Sequence, residues 1–491
     1  MEIGTIISCE GSPNSSEFLF NIDKPAVKVV KKGQFVQTKN EFGWVISRIE
    51  EIYRSNKYFE NVEIVEEVKN AMPTKEWESV IAKAKTLGIK ANGIERNKSS
   101  PSPGARVSLC DKEILKEFFG FDENGLYLGD IDSHELPVKI NMTKLLQKHF
   151  AVLALSGAGK SYLIKVILEE LLDRDKSKGQ IAPIIFDTHG EYIAFDTDKQ
   201  YASKTQVFKS SDIRIGLSDI SMSTLYHLLP DLSPAQKREL NKILKDMKSE
   251  NDVFDLEDLE RNIENNVRSS AKYVLLDIIH EMKSLHIFGK SDYPSANSIC
   301  KQGILSVIDL SDCTSQRKRQ IIVYYLCKKL FEARQKGKIP PFLTIIEEAH
   351  NYAPERVAKY NAVSKGIIEK IAREGRKFGA CLALISQRPV HLATTALSQC
   401  NTHIILRITN PYDIDHIGKS SEGLSSDVLK SLPGLHIGEA IITGEAANQP
   451  ICFKVRQKKV QDSPIANELE KACIDYSEME KNNKKDLDAF R

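Results

Sequence analysis

The sequence lacks the features of a secreted or membrane-spanning protein. It contains no run of the roughly 18 apolar residues that a bilayer-crossing helix needs, and its N-terminal residues, MEIGTIISCEG, do not resemble a signal peptide. Its nine cysteines are odd in number and scattered, so that no two are close enough for a zinc or redox pair. These absences predict a protein of the reducing cytoplasm that does not associate with membranes.

The sequence also lacks an excess of charge of either sign. Lys and Arg total 69 against 67 acidic residues, which gives a formal net charge of +2. No global basic field therefore indicates nucleic acid, and any DNA contact must come from a local stripe of basic residues. Hydrophobic residues at 41% and charged residues at 28% are typical of an ordinary globular protein.

Short strands precede a region in which strands and helices alternate. Runs such as GTIISCE, EFLFNI and GWVISRIEEI, separated by turn residues, predict a small β-barrel over residues 1–105 with a helical insert at about 74–96. Later apolar runs such as APIIFD, ILSVIDL and ACLALIS alternate with helical patterns. They predict an α/β core with a mostly parallel sheet over residues 106–220 and 291–455.

Two further segments have a helical pattern. Residues 221–290 contain several amphipathic stretches, among them PAQKRELNKILKDM and SAKYVLLDIIHEMKSL, and are expected to form a helical insertion in the core. Residues 456–491 are expected to form a charged helical tail with a frayed end.

A glycine-rich turn joins an apolar strand to an amphipathic helix in FAVLALSGAGKSYLIKVI, residues 150–167. Small residues let successive backbone N–H groups face inward, and the helix N-terminus is directed at the same point, which is typical of a phosphate-binding loop. Lys160 would reach the β- and γ-phosphates of ATP, and Ser161 would bind Mg²⁺. Ala154 stands where the full pattern has glycine, which leaves the geometry of the turn open. The residues expected to hold the nucleotide are Ser156, Gly157, Ala158, Gly159, Lys160, Ser161 and Tyr162.

An acidic pair follows the predicted strand FLTII. Glu347 and Glu348 would lie at the carboxyl end of a central strand, where open α/β sheets bind their ligands. Glu347 would hold Mg²⁺ through water, and Glu348 would polarise the attacking water. Such a pair by itself is more often a solvated strand end, and only its combination with Lys160 in one parallel sheet favours a catalytic role.

Polar residues also end the predicted strand in FDTHGEY. Asp187, His189 and Glu191 are candidates for contact with the γ-phosphate or Mg²⁺. An ordinary turn histidine is the alternative for His189.

Two arginines and a glutamine occur near the next predicted strand, in IAREGRKFG and SQRP. Arg373 and Arg376 are candidates to stabilise transition-state charge across a subunit boundary, with surface charges as the alternative. Gln387, at a strand end, is a candidate to sense the γ-phosphate.

The motifs taken together resemble the HerA family of the HerA–FtsK superfamily. The similarity covers nearly the whole chain, and its motifs stand in the family's order: SGAGKS, DTHGEY, LLPDLSPAQ, IIEEAHNYAP, AREGRKFG, SQRP and SLPGLHIGEA. The resemblance implies a RecA-like P-loop ATPase core, an N-terminal barrel of the HAS type and a homohexameric ring. ATP would lie at the subunit interfaces, and duplex DNA would pass through the pore.

The resemblance also implies roles for individual residues. Lys160 and Ser161 match the Walker A lysine and magnesium hydroxyl. Glu347 and Glu348 match the Walker B acids, with Glu348 as the catalytic carboxylate.

Two further residues match functional positions of the family. Arg373 matches an arginine finger supplied in trans, with Arg376 as the second candidate, and Gln387 matches the sensor in SQRP. Lys209 and Lys365 are candidates for pore loops, although lysines on loops are ordinarily just solvated.

The biological role divides into alternatives. The chain has no nuclease or NADase motif of its own, so any destructive chemistry would lie in a partner docked on the barrel. That partner would be a nuclease in DNA-end processing, or a nuclease or Sir2-like effector in anti-phage defence. The remaining alternative is an ATP-binding ring scaffold that regulates an effector with little DNA translocation.

Overall fold

The computed structural model describes most of the chain, namely residues 1–9, 11–56, 78–91, 93–131, 133–229, 232–250, 253–268, 271–356, 362–420, 424–461, 473, 474, 476, 477 and 479. Two compact units are present, the first formed by Met1–Asn141 with Ile441–Val455 and the second by Met142–Ala440 with Arg456–Arg491. No helix among the described residues is both long and apolar enough to cross a bilayer.

The described strands are numbered in chain order. They are β1 (Glu2–Ile7), β2 (Glu17–Ile22), β3 (Phe35–Asn40), β4 (Gly43–Ser55), β5 (Ser79–Lys90), β6 (Ile94–Glu95), β7 (Arg106–Leu109), β8 (Leu126–Ile131), β9 (Leu136–Ile140), β10 (Phe150–Leu153), β11 (Ala182–Asp187), β12 (Thr205–Lys209), β13 (Ile215–Gly216), β14 (Phe288–Gly289), β15 (Leu305–Asp309), β16 (Phe342–Ile346), β17 (Ala380–Ser386), β18 (Thr402–Ile405), β19 (Glu439–Gly444) and β20 (Ile451–Val455).

The described α-helices are numbered in the same way. They are α1 (Lys112–Phe119), α2 (Met142–Leu146), α3 (Lys160–Leu172), α4 (Ala194–Thr197), α5 (Met222–Leu228), α6 (Pro234–Glu250), α7 (Leu256–Asn266), α8 (Ala271–Ser284), α9 (Ala296–Ile299), α10 (Gln316–Gln335), α11 (Lys365–Glu374), α12 (Thr394–Leu397), α13 (Pro411–Ser420) and α14 (Ser426–Ser431).

The first unit contains a small antiparallel barrel. Its strands pair in the order β2-β1-β7-β3-β4-β5, and pairing between β2 and β5 closes the ring. Alternate side chains of each strand face the interior, as Phe18, Phe20 and Ile22 of β2 do. The predicted N-terminal barrel is confirmed.

The expected helix at 74–96 is wrong for its described part, because residues 79–90 form β5. The Ala and Lys residues of SVIAKAKT are good helix formers, but Val80, Ala82 and Ala84 are buried with a period of two. Pairing with β2 and β4 on both sides outweighs local helix propensity. Residues 74–77 lie outside the described part of the chain.

The first unit extends past the predicted boundary at residue 105. It includes α1 and an antiparallel set in which β8 pairs with β9 and with β20. The Phe119 ring of α1 packs edge-on against Phe35 of β3, with ring centroids 5.1 Å apart. This contact explains why residues 106–141 group with the barrel and not with the ATPase core.

The second unit is built on seven parallel strands in the order β12-β15-β11-β16-β17-β10-β18. The central strands are buried along their whole length, which is why their sequences are continuous apolar runs without alternation. The register pairs Leu153 with Ser386 and Phe186 with Ile346, so the carboxyl ends of four strands lie at one edge. The predicted α/β class with a mostly parallel sheet is confirmed.

The helical insertion lies between β13 and β14, which pair in parallel. Helices α5 to α8 fall within the predicted span 221–290, and each buries an apolar stripe such as Leu240, Ile243, Leu244 and Met247 of α6. The predicted tail over 456–491 lies mostly outside the described residues.

Candidate nucleotide-binding site

The turn between β10 and α3 is wound by two glycines. Gly157 and Gly159 have φ angles of +76° and +104°, which side chains of other residues rarely permit. Gly159 is also the N-cap of α3, and it has no side chain to bond the first N–H groups of the helix. These groups are therefore directed at the turn, as an anion-binding helix end requires.

Ala154 fits the turn in place of glycine. It is fully buried and does not have a positive φ, and its N–H donates to the Ser386 carbonyl at 3.3 Å. The next N–H, of Leu155, donates to the Arg407 carbonyl at 3.0 Å. Although β10 ends at Leu153, the next two N–H groups are thus still bonded to neighbouring segments, and the first positive φ comes only at Gly157.

A cavity of about 450 Å³ lies at the carboxyl edge of the parallel sheet. It brings together most of the predicted site residues, and its lining consists of Ser156, Gly157, Gly159, Lys160, Ser161, Tyr162, His189, Glu191, Glu347, Glu348 and Gln387. The Lys160 ammonium lies 3.5 Å from the Leu155 carbonyl oxygen, a contact weak enough to be exchanged for a phosphate. Ala158 is buried beneath the turn.

Glu347 is held by the backbone that follows β11. Its Oε2 accepts the N–H of Thr188 at 2.9 Å. Burial raises the pKa of Glu347 well above its ordinary value, and the nearby Asp187 and Glu191 carboxylates raise it further. A buried carboxylate among other acids favours a cation beside it.

Mg²⁺ fits this donor set as a partner of ATP. Ser161 and Glu347 supply a hydroxyl and a carboxylate, the oxygen ligands that Mg²⁺ takes alongside phosphate and water. Among the described residues, no three His, Cys, Asp or Glu side chains are arranged to hold a metal ion by themselves.

Glu348 has a left-handed backbone, with φ and ψ both 48°. Its carboxylate accepts the backbone N–H of Gln387. Burial raises the pKa of Glu348, whereas the positive charge of Lys160 and the nearby His189 oppose that rise. Left-handed geometry is costly for a residue with a side chain, and such strain is found where a functional group must be aimed.

His350 contacts Glu348 and was not predicted from the sequence. Its Nδ1 lies 3.3 Å from Glu348 Oε2 and 3.1 Å from the Ser386 hydroxyl. Burial lowers the pKa of His350 to about 4, with Arg388 as a further cause, so the ring is neutral at pH 7. The contact is therefore between a neutral imidazole and a carboxylate. The sequence feature that could have indicated His350 is its position three residues after Glu347.

Asp187 was expected to contact the γ-phosphate or Mg²⁺, but its carboxylate accepts hydrogen bonds from its own turn. Its Oδ1 accepts the N–H groups of His189, Gly190 and Glu191 at 3.2, 2.8 and 3.2 Å, and its Oδ2 accepts that of Tyr192 at 2.8 Å. These four donors engage both oxygens of the buried carboxylate, which does not line the cavity. It shapes the turn that carries His189 and Glu191 to the cavity.

Arg373 and Arg376 do not line the cavity of their own chain. Both are exposed, Arg373 in the last turn of α11 and Arg376 in the 3₁₀ turn that follows. Arg373 forms no ion pair within the described residues.

The two pore-loop candidates differ. Lys209 is exposed at the end of β12. Lys365 begins α11, where its Nζ donates to the Glu355 carbonyl at 3.2 Å and lies 4.0 Å from Glu369. These contacts with its own chain make Lys365 the weaker candidate.

The sequence of this chain is similar to sequences of known proteins. The family model described as "Helicase HerA, central domain" matches residues 126–330. The chain carries a HerA-type central helicase domain. With the phosphate loop and the acidic pair in one cavity, it is an ATPase of the P-loop class.

Two curated relatives are similar over most of their length. A probable helicase of Methanocaldococcus jannaschii is 29% identical, with 93% of this chain and 95% of the relative covered. The DNA double-strand break repair helicase HerA of Pyrococcus furiosus is 28% identical, with 92% and 91% covered. Among solved structures, VirB4 of Thermoanaerobacter pseudethanolicus has a TM-score of 0.52 at 15% identity, with 68% of this chain and 97% of that chain covered, which supports the fold alone.

Proposed function

We propose that this HerA-type ATPase is a DNA translocase or helicase that works as a hexameric ring. The observation that carries the proposal is the composition of the cavity, where Lys160, Ser161, Glu347, Glu348 and Gln387 lie together and no arginine is among the described lining residues. Phosphoryl transfer is accelerated strongly by an arginine at the transition state. An exposed Arg373 from a neighbouring subunit would complete the site.

Each cavity residue has a part in the proposed chemistry. Lys160 binds the β- and γ-phosphates, and Ser161 and Glu347 hold Mg²⁺. When bound, Mg²⁺ neutralises charge on the phosphate oxygens. Glu348 accepts hydrogen-bonding from the attacking water and orients it in line with the γ-phosphate. His189 and Glu191 lie at the rim of the same cavity.

The Glu348 carboxylate has one bonded oxygen, whereas its Oε2 has no hydrogen-bond partner among the described residues. The backbone N–H of Gln387 donates to its carboxylate, and neutral His350 contacts the same group while bonding Ser386. Because Ser386 ends β17 and Gln387 follows it directly, a shift of that strand end on γ-phosphate loss would move Glu348. Gln387 is thus proposed to sense the γ-phosphate.

Because each ATP site would be shared by two subunits, hydrolysis in one site would affect the neighbouring subunit of the ring. Hydrolysis changes the contacts of the neighbour's Arg373, which belongs to α11. That helix begins at Lys365 and would transmit the change within its subunit. Duplex DNA in the pore would be contacted through its phosphates by exposed lysines such as Lys209.

The cellular role proposed is DNA-end processing with a partner nuclease docked on the barrel. It is preferred to anti-phage defence with a nuclease or Sir2-like effector because curated relatives at 28% identity carry the name DNA double-strand break repair helicase. The alternative, a ring scaffold with little translocation, predicts ATP hydrolysis without movement along DNA.

Displacement of a third strand from a DNA triplex tests the motor directly. ATP-dependent displacement by the wild type, absent with Lys160→Ala, is the expected result. Rings that hydrolyse ATP without displacing the third strand would favour the scaffold.

A further inference from the structure

Tyr192 ends the turn that Asp187 organises. Its backbone N–H donates to Asp187 Oδ2 at 2.8 Å, which fixes the residue at the carboxyl edge of the sheet. Its side chain is fully buried. The same turn holds Glu347 through the N–H of Thr188. One loop therefore positions both Glu347 and the Tyr192 ring.

The Tyr192 hydroxyl has no completed hydrogen bond within the described residues. It faces the Ser161 side chain, and the carboxylates of Glu347, Asp187 and Glu191 surround it. A tyrosine hydroxyl carries its proton at neutral pH, so it is available as a hydrogen-bond donor. Its nearest prospective acceptor is the Ser161 hydroxyl, the group that would bind Mg²⁺.

Two other fully buried tyrosines provide a comparison. The Tyr201 hydroxyl bonds Asp173 at 3.0 Å, and the Tyr352 hydroxyl bonds Thr188 at 3.2 Å. A buried hydroxyl without a partner is unfavourable, and native proteins rarely keep one without a reason. An acceptor that arrives with the ligand supplies that reason.

We propose that Tyr192 is a positioning residue of the metal site, whose hydroxyl donates a hydrogen bond to the oxygen ligands around the Mg²⁺ held by Ser161 and Glu347. This inference rests on the proposed function. Groups that bond the ligands of a metal fix their orientation and affect affinity even though they do not touch the metal.

Tyr192→Phe tests the inference, because it removes the hydroxyl and leaves the ring. Binding of a fluorescent, non-hydrolysable ATP analogue is measured at increasing Mg²⁺ concentrations, together with melting temperature. The Mg²⁺ concentration for half-maximal binding should rise about tenfold, as loss of an outer-shell partner does in other metal sites. Binding without Mg²⁺ and the melting temperature without nucleotide should stay unchanged.

Tyr201→Phe is the matched control, since it removes a buried hydroxyl at the far end of α3 and should leave the Mg²⁺ dependence unchanged. If the wild type needs Mg²⁺ to bind the analogue and Tyr192→Phe needs the same Mg²⁺ concentration, the inference about Tyr192 is overturned but the proposed function is not. A wild type that binds the analogue without regard to Mg²⁺ would instead contradict the proposed metal site as well. An equal loss of binding with and without Mg²⁺ would also overturn the inference, because it indicates a general packing role.

Discussion

Arg456, which follows β20, forms a largely buried ion pair with Glu169 of α3, the helix that follows the phosphate loop. Arg456 Nη1 lies 2.7 Å from Glu169 Oε2, and the N–H groups of Lys459 and Val460 donate to Glu169 Oε1 at 2.6 and 2.9 Å. The neighbouring N–H of Lys458 donates to the hydroxyl of Tyr162, a cavity residue, at 2.9 Å. The segment after β20 is thereby attached to the helix that carries Lys160.

Arg456→Met should destabilise the second unit by about 3 kcal/mol, because it leaves Glu169 buried without its counter-charge. Urea unfolding followed by fluorescence measures the change. Arg261→Met is the control, since its pair with Asp258 is exposed and should contribute little. Equal unfolding free energies of the two variants would show that the buried ion pair contributes no more to stability than the exposed one.

His350→Ala should lower kcat for ATP about 10- to 100-fold with little change in KM, because the histidine contacts Glu348 and does not line the cavity. Steady-state kinetics with a coupled assay provide both constants. His391→Ala, an exposed histidine near the same segment, serves as the control. A change in KM without a change in kcat would argue that His350 acts on nucleotide binding instead.

Buried histidines should make the protein acid-sensitive. Burial lowers the pKa of His149 and His403 from 6.5 to about 4. As the pH falls through 6.5 the unfolded chain takes up protons that the folded chain cannot bind until about pH 4, so stability is lost in this window. Each such group contributes a slope of about 1.4 kcal/mol per pH unit.

His403→Leu should therefore flatten the decline in unfolding free energy between pH 6.5 and pH 4.5. Urea titrations at several pH values measure it. An undiminished slope in the variant would mean that His403 does not contribute.

Arg373 should act across the subunit boundary. Arg373→Ala and Lys160→Ala should each lose at least about a hundredfold of ATPase activity in separate rings, given the size of arginine-finger effects. Mixing the two variants should restore part of the activity, because some interfaces then combine an intact Lys160 with an intact Arg373. Mixtures of Arg376→Ala with Lys160→Ala distinguish the two arginines. Absence of restoration in the Arg373 mixture would contradict a role in trans.

Local patterns predicted much of the fold. The phosphate loop, the parallel strands and the insertion helices have periods and turn residues that depend on near neighbours in sequence. The segment at 79–90 was misassigned because its Ala and Lys residues favour a helix in isolation, whereas two flanking strands determine its conformation.

The site was predicted less completely than the fold. Polar residues after a strand look alike in sequence, so Asp187, which bonds four amides of its own turn, was taken for a nucleotide ligand. His350 and Tyr192 were missed because their roles depend on Ser386 of β17 and Ser161 of α3, which are distant in sequence and brought near by the fold. The pairing of Arg456 with Glu169 joins positions 287 residues apart, beyond the reach of any local pattern.

The rate of ATP hydrolysis by the full chain, with and without duplex DNA, tests the central claim most directly. Glu348→Gln, which keeps the shape of the side chain and removes its charge, is measured beside the wild type. We predict that duplex DNA stimulates the wild type and that the variant binds ATP but hydrolyses it at less than about a hundredth of the wild-type rate. An unstimulated wild type, or a variant with undiminished turnover, would contradict a DNA-translocating ATPase built on this cavity.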